Sequence, residues 1–130
     1  MQDDIKEILN HLIYSPNKNE IVVDFNLEKK IFSLHIPIYV AQRILPNAIK
    51  KYISARINHI FKPHSTTFQI EEDRKVMLMQ QIPFRWGFDV KSHQEMLDFL
   101  RLAQRCHQML YEIALEEKYK EALHHLDSDS

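Results

Sequence analysis

The sequence has almost no glycine: Gly87 is the only one in 130 residues. That excludes a glycine-rich loop cradling a phosphate, and neither a G-x-S-x-G elbow nor a kinase-like motif set occurs. Cysteine is equally scarce. With Cys106 alone, neither a disulfide framework nor a four-thiolate zinc site can form within one chain, which favours a reducing compartment. Long apolar runs are missing too. No stretch approaches the ~20 apolar residues of a membrane span, and MQDDIKEILNHLIY lacks the basic lead of a signal peptide. The chain therefore reads as cytoplasmic. With 45% hydrophobic and 27% charged residues it suits one domain, taken as 1–126, with a polar tail at 127–130.

The net charge of -1 conceals a segregation of charge along the chain. Between Lys29 and Ile70 lie Lys29, Lys30, Arg43, Lys50, Lys51, Arg56 and Lys62, with no acid among them, whereas both flanks are acidic. Elements of opposite charge can attract one another within a fold, and a basic segment can also steer an acidic partner.

Hydrophobic periodicity sets out seven elements. Ile5, Ile8, Leu9, Leu12 and Ile13 fall on one helical face, with Asp3 and Asp4 at its positive end. The SPNKN stretch breaks this pattern, because Pro16 cannot continue the hydrogen-bond ladder. Ile21, Val23, Phe25 and Leu27 then alternate with Val22, Asp24 and Asn26, and Phe32, Leu34, Ile36 and Ile38 with Ser33, His35 and Pro37, which predicts an antiparallel hairpin. Pro37 donates no N–H and belongs at a sheet edge or strand end. A second helix is predicted from about Pro46, with Ile49, Tyr52, Ile53, Arg56, Ile57 and Ile60 at helical spacing.

A second hairpin is expected from TTFQIEE and KVMLMQQI, turning at Asp73 and Arg74. Its second strand carries Met77 and Met79 on one face and Val76, Leu78 and Ile82 on the other. Two apolar faces suggest a central strand, covered by helices on one side and by something else, such as another subunit, on the other. Ser92-His93-Gln94-Glu95 matches a capping box, so the last helix is predicted to open at Ser92 and to bury Met96, Leu97, Phe99, Leu100, Ala103, Cys106, Leu110, Ile113 and Ala114. Glu116, Glu117, Lys118, Lys120 and Glu121 make its end polar. The fold class is α+β: helix, two strands, helix, two strands, helix, with an antiparallel sheet packed against the helices.

Few residues offer chemistry. Eight histidines invite a metal hypothesis, but His93-Gln94-Glu95 lacks the second histidine four places on, since position 97 is leucine. His124 and His125 diverge by about 100° on a helix, and so do Cys106 and His107. His35, His59 and His64 sit where surface or hydrogen-bonded roles suffice. Glu71, Glu72 and Asp73 fall at a hairpin tip, where charge keeps a turn in solvent. No catalytic residue, metal site or cofactor is expected, and an enzyme is not the reading the sequence favours. Nucleic-acid binding is not expected either, because the chain is slightly acidic overall and carries no groove-reading motif.

The segment FQIEEDRKVMLMQQIPFRWGFDVKSHQEMLDFLRLAQRCHQMLYEI resembles the C-terminal half of class I type III secretion chaperones, the Tir-chaperone-like family. Val76, Leu78, Ile82 and Pro83 match the strand and "I-P" exit of that pattern; Met96, Leu97, Phe99, Leu100 and Ala103 match its last helix. Helix one, with Ile5, Ile8, Leu9 and Leu12, is similar to the family's opening helix. The chain departs from the usual pattern in having two strands rather than three between the first two helices, in being less acidic, and in lacking glycine turns.

The resemblance implies a small, ATP-independent, cytoplasmic dimer, homo- or heterodimeric with a second chaperone, that keeps a secreted effector or secretion-apparatus protein export-competent. On that footing Ile5, Leu9, Leu12, Ile21, Val23, Phe25, Phe32 and Leu34 would meet the substrate chain, and Ile49, Tyr52, Ile53, Val76, Leu78 and Trp86 would form the dimer surface. Phe84, Trp86 and Phe88 would either pin the loop at Gly87 to the core or form part of a partner groove. The alternative is a regulatory adaptor whose patch of Lys50, Lys51 and Arg56 docks on an acidic protein surface, such as the transcription machinery.

Overall fold

The structure is a computed structural model that describes residues 21–56, 66–84 and 89–128, with side chains described to residue 124. Within it run β1 (Val22–Asn26), β2 (Ile31–Val40), α1 (Asn47–Ser54), β3 (Thr66–Glu71), β4 (Lys75–Pro83) and α2 (Val90–Ser128). The expected helix over Ile5 to Ile13 lies outside the described residues.

Both predicted hairpins form, and they join into one antiparallel sheet of order β1-β2-β4-β3. The seam is β2 against β4, with Phe32 opposite Ile82 and Ile36 opposite Leu78. The strand with two apolar faces, β4, is indeed central. Pro37 departs from expectation, since β2 continues three residues beyond it to Val40. Its missing N–H is tolerated there because the β1 pairing stops at His35 and the β2/β4 register shifts between Pro37 and Tyr39. Leu27 is also corrected: β1 ends at Asn26, and Leu27 is exposed in the turn.

Glycine is absent from both hairpin turns, and other residues adopt positive φ in its place. Lys30 does so in the first turn (52°), where Asn26 Oδ1 accepts the Lys29 N–H at 3.1 Å. Glu72 and Asp73 do so in the second (55° and 53°), the sign pattern of the primed turns that suit strand twist. Such a backbone costs a residue with a Cβ about 1–2 kcal/mol. Neighbouring contacts offset this in the second turn. Asp73 O accepts the Leu45 N–H and Arg74 O the Ala41 N–H, each at 2.9 Å, and Asp73 Oδ2 is 2.9 Å from Lys50 Nζ.

One face of the sheet carries the core. Phe32, Leu34, Ile36 and Ile38 on β2 and Val76, Leu78 and Ile82 on β4 are fully buried, packed with Met96, Phe99, Ala103 and Leu110 of α2 and with Ile49 and Ile53 of α1. Each large side chain enclosed in this way contributes about 1.5–3 kcal/mol. Polar Gln80 interrupts the β4 core face. It is buried opposite Thr66, whose Oγ1 donates to Gln80 Oε1 at 2.6 Å, so a polar pair inside the sheet is joined rather than orphaned.

Both helix boundaries refine the sequence reading. Pro46 precedes α1, its carbonyl accepting the Lys50 N–H at 3.0 Å, and the helix ends at Ser54. The predicted continuation through Ile57 and Ile60 lies outside the described residues. The last helix opens at Val90, and the Ser92 capping box does not form. Asp89 caps instead: its Oδ1 accepts the Ser92 N–H at 2.8 Å and its carbonyl accepts the His93 N–H at 3.0 Å. Ser92 is buried inside the first turn, where its Oγ donates to Pro83 O at 2.7 Å and ties the helix to the end of β4. The helix also runs to Ser128, through the start of the expected polar tail.

Candidate partner-binding surfaces

The residues expected to meet a substrate chain fall into three groups. Phe32 and Leu34 are fully enclosed in the core and offer no surface, which corrects that assignment. Ile21, Val23 and Phe25 are half-buried, packed against the core from β1, an edge strand of the sheet. Ile5, Leu9 and Leu12 lie outside the described residues.

The expected dimer surface is corrected more heavily. Ile49, Ile53, Val76 and Leu78 are enclosed by their own chain, so no second copy can reach them without opening the core. Tyr52 is half-buried beside them, its ring edge-on to Phe68 and its O–H donating to Met109 Sδ at 3.1 Å. Trp86, with the Gly87 loop and Phe88, lies outside the described residues. Phe84 is described and does pack into the core, 6.3 Å from the Phe32 ring.

The basic patch is largely engaged within the domain. Lys50 pairs with Asp73, while the Arg56 guanidinium stacks 3.8 Å from the Tyr52 ring and donates to Tyr52 O. Lys51 is exposed. Exposed pairs of this kind contribute about 0–1 kcal/mol, so the patch could be unlocked, but it is not three free cations.

The chemically versatile side chains are held in structural settings. Cys106 is buried, and burial pushes its thiol up to about 11 despite the opposing pull of Arg105. It is protonated near neutrality and correspondingly poor as a nucleophile. His107 turns away from it, with Nδ1 at 2.9 Å from Ile38 O and the ring 4.5 Å from Tyr111. Tyr111 in turn lies 4.7 Å from Tyr39, whose hydroxyl is raised above its usual pKa by burial, then by Tyr111 and Glu117. His35 sits 3.9 Å from Asp24 across the β1/β2 pair. Among the described residues no group of three or more His, Cys, Asp or Glu is placed to hold a metal ion.

The sequence reading missed the most conspicuous apolar surface. Core burial along α2 ends at Ala114, beyond which Leu115, Tyr119 and Leu123 are 69%, 65% and 43% exposed, preceded by Tyr111 at 45%. An open groove of about 610 Å³ runs along this part of the helix, lined by Glu112, Leu115, Glu116, Lys118 and Tyr119. A legible signal was present: Tyr111, Leu115, Tyr119 and Leu123 recur every fourth position among the charges.

No family model, curated protein or solved structure matches the chain. Among the described residues no helix is long and apolar enough to cross a membrane.

Proposed function

We propose that this protein is a non-catalytic, ATP-independent chaperone of the type III secretion kind, a cytoplasmic dimer that binds an unfolded stretch of a secreted effector or secretion-apparatus protein. The observation that carries this reading is the edge strand β1. It pairs with β2 on one side, and its inward residues Val23 and Phe25 are only half covered. An edge of this kind can accept an added strand through main-chain hydrogen bonds while half-buried apolar side chains supply side-chain contacts. The α+β order that carries the resemblance supports the same reading.

Mixing the protein with an unfolded secretion-substrate segment and following amide hydrogen exchange provides the test. Protection gained at Val22 to Asn26, together with an affinity loss of about tenfold or more in Phe25→Asp, is the expected result; tenfold corresponds to about 1.4 kcal/mol. Binding that leaves β1 unprotected, or no binding to any such segment, contradicts it. The adaptor reading gains no specific support, because Lys50 and Arg56 already have partners within the domain.

A further inference from the structure

The edge strand β1 offers a partner more than an apolar margin. It ends the sheet on one side, and among the described residues no strand pairs with its other side. Its side chains alternate strictly. Val23 and Phe25 are half-buried on the core side, where the Phe25 ring lies 5.9 Å from that of Phe32, while Val22, Asp24 and Asn26 are exposed on the opposite face.

The register decides which main-chain groups of β1 are on offer. In an antiparallel pair, opposed residues alternate between those that exchange both main-chain hydrogen bonds and those that exchange none. The Phe84 N–H donates to Lys30 O at 2.9 Å, which makes Ile31 and Pro83 a pair of the second kind. Phe32 therefore bonds to β4, and Ile31 and Ser33 turn their main-chain groups toward β1. Asn26 and Asp24 stand opposite them and take those bonds. The N–H and C=O groups of Val23 and Phe25 then point outward, where a further strand would bond to them.

Asp24 lies between these two outward-pointing residues. A residue set against it in an antiparallel added strand belongs to a pair without main-chain bonds, the kind whose side chains come closest, with Cα atoms about 4.5 Å apart. The Asp24 side chain is 71% exposed, and its ion-pair partner among the described residues is His35, at 3.9 Å, a cation only when protonated. The carboxylate is thus open to a base from an added strand.

We infer that the segment received by β1 carries a basic residue between two apolar ones, the base set against Asp24 and the apolar pair against Val23 and Phe25. The inference rests on the edge-strand reading of the function and adds the chemistry of the bound segment. The main-chain bonds hold any extended chain, and Asp24 selects among them. Because the charge pair is exposed, the selection is a matter of a few fold and weakens with salt.

Fluorescence anisotropy with short labelled peptides tests this, each with two valines around a central Lys, Gln or Glu and Thr or Ser elsewhere. In low salt the Lys peptide should bind about threefold tighter than the Gln peptide and about tenfold tighter than the Glu peptide. Asp24→Asn should abolish the preference and Asp24→Lys invert it, both with little change in urea midpoint because the side chain is exposed. Equal binding of the three peptides, with hydrogen-exchange protection gained at β1, overturns the inference and leaves the edge-strand reading standing. A Lys preference that survives Asp24→Asn also overturns it, since another group then reads the charge. Protection of β1 that rises with protein concentration in the absence of peptide gives the edge to a second copy and overturns it as well. If no peptide binds and the β1 amides stay unprotected, the inference and the edge-strand reading fall together.

Discussion

Val90 to Ala114 and Leu115 to Ser128 belong to one unbroken helix, yet they live in different surroundings. The first stretch lays Met96, Phe99, Ala103 and Leu110 into a sheet face already apolar with Phe32, Leu34 and Ile36, and it is anchored at its start by Asp89 and Ser92. The second carries side chains of the same type, Leu115 and Tyr119, with nothing of the described domain over them. Apolar periodicity on a helix therefore reports two things that look alike in sequence: side chains packed within the domain, and side chains left exposed on its surface.

The sharpest way to break the comparison is to truncate one large side chain in each half. Phe99→Ala empties a fully buried site and should cost about 3–5 kcal/mol in urea unfolding. A loss under 1 kcal/mol would mean the near half is not the core it looks like.

Titration sharpens the same contrast, because Cys106 is in the near half and buried. Its thiol keeps its proton to about 11 in the folded chain against 9.0 in the unfolded one, so the unfolded state loses the proton first. Stability is thus unaffected by this group below pH 9 and falls as pH rises from 9 toward 11. The total loss is up to about 2–3 kcal/mol. Comparing unfolding free energies at pH 8 and 11 should show that fall, and Cys106→Ala should lessen it; an equally steep fall in the variant would place its cause elsewhere.

Smaller effects grade the ends of the helix. Asp89→Ala removes the cap and should cost about 1 kcal/mol by urea unfolding, and an unchanged urea midpoint would mean that Asp89 does not hold the helix start. Leu115→Ala, measured on dilute protein, should change stability by no more than about 0.5 kcal/mol. A larger loss would mean that the far half is part of the fold after all.

Most of the architecture was legible in the sequence. Strict alternation in Ile21 to Ile38 predicted the first hairpin, and the two apolar faces of Val76 to Ile82 placed β4 at the centre of the sheet. The helix start was misread because Ser92 and Glu95 satisfy a spacing rule, while Asp89, three residues earlier, makes the hydrogen bond. The candidate surfaces were read least well, for a physical reason. An apolar side chain at the right period must be covered, but the period does not say by what: Ile49, Ile53, Val76, Leu78, Phe32 and Leu34 are covered by their own chain. The far stripe was hidden by its neighbours, since Glu116, Glu117, Lys118, Lys120 and Glu121 dominate the stretch even though Leu115 and Tyr119 keep their spacing.

Amide hydrogen exchange along α2 tests the contrast between the two parts of this helix most directly. The account predicts that amides before Ala114 are protected to the limit set by global unfolding, and that those from Leu115 onward are weakly protected. Uniform protection along the whole helix would contradict it.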